Sequence, residues 1–68
     1  MNIHELLEGW FYRKGGRVLG PVSCRDLKNL LGLGRLQPKQ AVWRHRQFES
    51  LYLRAETVLR LANAALHR

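Results

Sequence analysis

The side chains best suited to nucleophilic or metal chemistry are few here: Cys24, His4, His45 and His67. They stand about twenty residues apart, whereas metal ligands tend to come in pairs separated by a few positions. The spacing therefore predicts no metal site. Cys24 precedes a run with helical periodicity, a place where a thiol can ionise more easily. No base and orienting partner accompany it, and no Ser/His/Asp order, phosphate loop or paired carboxylates occur. The chain is expected to be non-enzymatic and to carry no cofactor.

Binding chemistry is better represented. Trp10-Phe11-Tyr12 sets three aromatics in a row, followed by Gly15-Gly16 and by Gly20-Pro21-Val22-Ser23. Twelve Lys and Arg against five Asp and Glu give a formal net charge of +7, and nine of the twelve are Arg. Such an excess suits acidic partners. The basic residues are nevertheless spread along the whole chain, clustering only at Arg13-Lys14 and Arg44-His45-Arg46. Nucleic-acid binding would require both clusters and an aromatic on one surface, and it stands as the second reading.

These residues must be positioned by few elements. A domain of 68 residues buries about 60% of the surface its unfolded chain exposes, enough for one small core. Residues 9–14 are predicted to form a strand, with Trp10 and Tyr12 on one face and Phe11 on the other. Gly15-Gly16 signals a hairpin, and the second strand runs from Arg17 to Val22. Ser23 reads as an N-cap with Asp26 three positions on. Leu27, Leu30 and Leu31 form the stripe of a helix that Gly34 ends. Ala41-Val42-Trp43 reads as a short strand. Residues 48–53 are either a return strand or the lead-in to a helix over 54–67. That helix carries Ala55, Val58, Leu59, Ala62, Ala65 and Leu66 on one face, and Glu56 precedes Arg60 at the favourable spacing. Leu61 and Ala64 widen the stripe, which opens a third reading: assembly, or a homodimer, through this C-terminal helix. Residues 1–8 are expected to be an N-terminal extension with at most a helical turn.

The order of these features resembles the GYF-domain superfamily, most closely its second GYF-like family, best known from bacterial proteins. The resemblance rests on Trp10-Phe11-Tyr12, Gly16, Gly20-Pro21-Val22-Ser23, Leu27, Leu30, Gly34-Arg35-Leu36, Pro38 and Val42-Trp43, with Phe48 where that family more often has Trp. It implies a GYF-like core over residues 9–53, followed by the C-terminal helix over 54–68. The implied fold is α+β: a small antiparallel sheet with a packed helix. The implied function is adaptor-type recognition of proline-rich peptides, whose extended form loses little entropy on docking against aromatic faces. This sequence departs from the pattern at Val22 and Leu30, where aromatics are usual, and at Gly34-Arg35-Leu36, which replaces Gly-Tyr-Phe.

The expected ligand-binding residues are Trp10, Tyr12, Pro21, Val22, Leu30 and Arg35, with Trp10 and Tyr12 reachable from outside. The ligand is a peptide or protein segment, proline-rich or, given the fork-shaped donor at Arg35, acidic. The opening MNIHELLEGW does not read as a signal peptide, and no apolar run is long enough for membrane insertion. With a single cysteine, a cytoplasmic setting or the cytosolic face of a larger protein is expected.

Overall fold

The structure, a computed structural model, describes residues 7–45 and 47–66. Its first strands meet at two glycines. Gly15 and Gly16 have φ of 58° and 78°, the left-handed values that a two-residue hairpin turn demands and that glycine adopts without steric cost. They join β1 (Trp10–Lys14) to β2 (Arg17–Val22) in antiparallel register, Lys14 opposite Arg17 and Tyr12 opposite Leu19. The register then slips, and Trp10 faces Val22. The extra residue of this bulge lies at Gly20-Pro21. A Cβ on Gly20 would fall 2.6 Å from the Trp10 carbonyl oxygen, so the close approach of the strands requires glycine there.

Ser23 ends the strand and starts α1 (Cys24–Gly32). Its hydroxyl accepts from the Asp26 N–H at 3.1 Å, and the Asp26 carboxylate accepts from the Ser23 N–H at 3.1 Å. The reciprocal box satisfies two donors that the helix itself cannot. At the other end, Gly34 takes φ 72°, and its N–H donates to the Leu31 carbonyl while the Arg35 N–H donates to that of Leu30. This is the glycine-terminated stop anticipated from the sequence. It also fixes Arg35 one turn from Leu30.

After a loop whose Leu36 is buried, β3 (Ala41–Trp43) pairs with β1, and β4 (Tyr52–Arg54) pairs with β3. The four-stranded sheet has the order β2-β1-β3-β4. β4 passes directly into α2 (Ala55–Leu66). Residues 48–53 thus end in a return strand that is also the lead-in to the helix. Two backbone bonds hold this corner: Ala55 N–H to Gln40 C=O and Glu56 N–H to Pro38 C=O, both 2.9 Å. Glu56 lies 3.9 Å from Arg54, so its ion pair is with the strand end rather than with Arg60. The architecture is α+β, as expected. The helical turn anticipated near the N-terminus falls largely outside the described residues, as does the end of the C-terminal helix.

Both helices lie on the same side of the sheet. Trp10, Tyr12 and Val42 point toward it and pack with Cys24, Leu27, Leu36, Ala55, Val58 and Ala62 in one buried cluster. Fully burying a Leu or Val side chain contributes roughly 1.5–3 kcal/mol, so Leu27, Leu36, Val42 and Val58 dominate the aliphatic part of this core. Alternation sends Phe11, Arg13, Trp43 and Tyr52 to the opposite face. Trp43 is nevertheless only 1% exposed. The β3–β4 connection is fastened over that face by Arg13, whose guanidinium donates to Glu49 at 2.6 and 3.1 Å. Among the described residues, no helix is long and apolar enough to cross a membrane.

Candidate peptide-binding surface

The six anticipated residues lie on different elements and at different depths: Trp10 and Tyr12 on β1, Pro21 and Val22 on β2, Leu30 on α1, and Arg35 just after the glycine stop. Trp10 and Tyr12 are core residues, with 1% and 7% of their surface exposed. Val22 faces Trp10 across the bulge, and Leu30 projects from α1. Both are half-buried and pack against the core cluster. Pro21 and Arg35 are exposed. Pro21 is held by its bond to Val22, and Arg35 by its backbone hydrogen bond to Leu30 at 2.9 Å. Among the described residues Arg35 makes no ion pair.

One expectation needs correction. Trp10 and Tyr12 are expected from the sequence to be reachable from outside; the helices instead cover both. The reason lies in the residues sharing each face. Leu19 and Val42 flank Tyr12 across the two ladders, so this parity is apolar through the middle of the sheet and turns basic only at the hairpin tip, at Lys14 and Arg17. The opposite parity carries Arg13 and Arg54, which a helix's apolar stripe cannot cover without burying charge. Phe11, half-buried on that second face, is the member of the triplet that stays partly accessible.

Arg44 is the second departure. The sequence suggests a solvated turn residue. In the fold its guanidinium carbon stands 5.3 Å from the centroid of a Trp10 ring, and its Nη1 is buried without a hydrogen-bond partner. The stack closes the open edge of Trp10 with a weakly hydrated, planar cation. Gly9 lies beside it, since a Cβ there would sit 3.5 Å from Arg44 Nη2. His45 is exposed and meets Phe48 edge-on at 6.0 Å, while Arg46 lies outside the described residues. Of the basic clusters, then, Arg13 is engaged by Glu49 and Arg44 by Trp10.

Cys24 is buried. Burial pushes its thiol pKa up, partly opposed by a hydrogen bond from the Trp10 indole and by the charge of Arg44. A raised pKa keeps the thiol protonated, the reverse of what nucleophilic use requires. Within the described residues no group of three or more His, Cys, Asp or Glu is placed to hold a metal ion.

A different concavity escaped the sequence. An open cleft of about 990 Å³ runs between α1 and α2, with Arg25 and Lys28 on one wall and Leu59, Ala62 and Leu66 on the other. None of the six anticipated residues lines it. Its only sequence signal is Leu66, which helical spacing assigns to the buried stripe but which is exposed at the helix end.

A four-stranded antiparallel sheet with both helices on one face, an aromatic β1, a bulged Gly-Pro strand end and a Ser-capped helix closed by glycine define a small α+β fold. The profile of the GYF domain 2 family matches residues 10–49, more than half of the chain, and the chain belongs to that family. GYF domains are protein-interaction modules. Comparison with curated proteins and with solved structures gives no match.

Proposed function

We propose that the chain is an adaptor-type module that holds an extended peptide segment across the surface formed by Pro21, Val22, Leu30 and Arg35, with Trp10 and Tyr12 as the buried floor beneath it. The observation that carries this reading is the exposed Arg35, which makes no ion pair among the described residues, anchored to half-buried Leu30. Such a pair offers an apolar contact and a fork of donors side by side. Because Val22 and Leu30 are aliphatic and both rings are buried, the surface offers little flat aromatic area for proline rings. A guanidinium at its rim binds a carboxylate through two parallel hydrogen bonds. The favoured ligand is therefore a peptide with an apolar residue beside an Asp, a Glu or a chain-terminal carboxylate.

Amide chemical-shift mapping with acidic, proline-rich and oligonucleotide ligands tests this. The acidic peptide should move the amides of Val22, Leu30 and Arg35, and Arg35→Ala should abolish the shifts. Movement with the oligonucleotide alone, weakening steeply with salt, would replace this reading with nucleic-acid binding. Stationary amides at these positions with all three ligands would remove the surface from consideration.

A further inference from the structure

Among the described residues β4 is the outer strand of the sheet, and its far side meets no other strand. The ladder tells which of its backbone groups point that way. Ala55 N–H donates to Gln40 C=O, and the register continues Ala41 to Arg54, Val42 to Leu53 and Trp43 to Tyr52. Hydrogen-bonded pairs alternate along an antiparallel ladder. Leu53 therefore turns its N–H and C=O to Val42, while Tyr52 and Arg54 turn theirs outward. The Arg54 carbonyl serves the first turn of α2, which begins at the next residue. On the edge stand the Arg54 N–H and both backbone groups of Tyr52.

The side chains around this edge are unusually apolar for a surface. Phe48 and Leu53 are exposed, Tyr52 is 56% exposed and Leu51 71%. Edge strands are commonly blunted by charge, proline or a covering element, and one that is not acts as a template for another strand.

We propose that this edge pairs with β4 of a second copy of the chain, antiparallel and centred on Leu53. The sequence Tyr52-Leu53-Arg54 is its own complement in that register. Leu53 meets Leu53 of the partner subunit. Tyr52 lies opposite Arg54 of the partner subunit, so that a cation rests against an aromatic ring. The two Arg54 N–H groups donate to the two facing Tyr52 carbonyls across a two-fold axis. Two chains of net charge +7 repel, and this register sets each edge arginine against a tyrosine instead of against the other arginine. Centring on Arg54 sets the two arginines face to face, and centring on Tyr52 takes Leu53 and Arg54 to residues 51 and 50, which lie outside the strand. None of these residues belongs to the proposed peptide surface, and the two readings stand independently.

Sedimentation equilibrium of the 68-residue chain tests it. A monomer–dimer equilibrium with Kd below about 1 mM is expected, tightening with salt as the like charges are screened. Tyr52→Glu, opposite Arg54 of the partner subunit, should tighten the dimer by about three- to tenfold, and Tyr52→Lys should weaken it by a similar factor. Arg54→Pro, which removes the outward N–H and leaves the bonds to β3 intact, should abolish it, with native amide shifts at Trp10 and Leu27 reporting that the fold survives. A strict monomer at 1 mM, or a dimer indifferent to charge at position 52 and broken instead by Leu61→Glu on α2, overturns the proposal.

Discussion

Arg44 lays its guanidinium across Trp10 at 5.3 Å while one of its nitrogens is buried without an acceptor. The contact joins the β3–β4 connection to the largest ring of the core. It combines a favourable cation–aromatic attraction with the cost of an unsatisfied donor, and the two partly cancel. Arg44→Ala removes the packing as well as the charge and should destabilise by about 1–2 kcal/mol. Arg44→Met keeps an apolar cover over the ring without the orphan nitrogen and should cost less. Urea unfolding of the two variants checks the order.

Gly20 and Gly32 should respond in opposite directions to the same substitution. At Gly20 φ is 134°, and an added Cβ would meet the Trp10 carbonyl oxygen at 2.6 Å and Phe11 Cδ1 at 2.8 Å. Gly20→Ala is expected to lose more than about 2 kcal/mol. Gly32 is helical with open space around it, and Gly32→Ala should gain about 0.5–1 kcal/mol. Thermal unfolding of both variants beside the parent provides the comparison.

Removal of the Ser23 hydroxyl leaves the Asp26 N–H without its acceptor and breaks the reciprocal box. Ser23→Ala should cost about 1 kcal/mol. Ser23→Asp restores an acceptor at the positive end of the helix and should recover most of the loss. The measurement is the urea midpoint at constant slope.

Glu49 should titrate below the ordinary carboxylate range. The hydrogen bond from Arg13 is the main cause, with its charge adding to it and burial opposing. A carboxylate with a depressed folded pKa contributes stability above its unfolded value, and that contribution fades as pH falls through the folded one. The fastening of the β3–β4 connection should therefore persist down to the usual carboxylate pKa of about 4.5 and release below it. Side-chain NMR titration of Glu49 should show the midpoint return upward in Arg13→Gln. An unchanged midpoint would mean that Arg13 does not govern it.

Cys24 gives the opposite sign. Its pKa is raised, mainly by burial, so thiolate is scarce in the folded chain near pH 8 and appears only as pH climbs past the folded value. Alkylation at pH 8 should be at least about tenfold slower than in urea. Equal rates would show that the thiol is reachable and ionised as in a free peptide.

Local chemistry made much of this fold readable. The paired glycines at 15 and 16, the Ser23–Asp26 box and the Gly34 stop act through backbone geometry confined to a few neighbouring residues, so they survive translation from sequence to structure unchanged. The depth of the aromatics did not. Alternation separates Trp10 and Tyr12 from Phe11, but only the partners on β3 decide which set the helices cover, and Val42 settled that from thirty residues away. Arg44 was misjudged for a related reason. A charged residue next to a histidine reads as solvated, and nothing local tells that an indole lies within reach. At the candidate surface the glycine stop that sets Arg35 beside Leu30 was legible, while the depth of Trp10 and Tyr12 was not.

The corner where Arg54 meets Ala55 has no slack. Strand and helix abut without an intervening residue, and Ala55 and Glu56 are pinned to Gln40 and Pro38. Anyone grafting a tag or reporter loop into this chain should avoid that junction, since one added residue would rotate the helix off its seat. The Gly15-Gly16 tip, with open space on both glycines, is the place where foreign sequence can be spliced in and the rest left as it is.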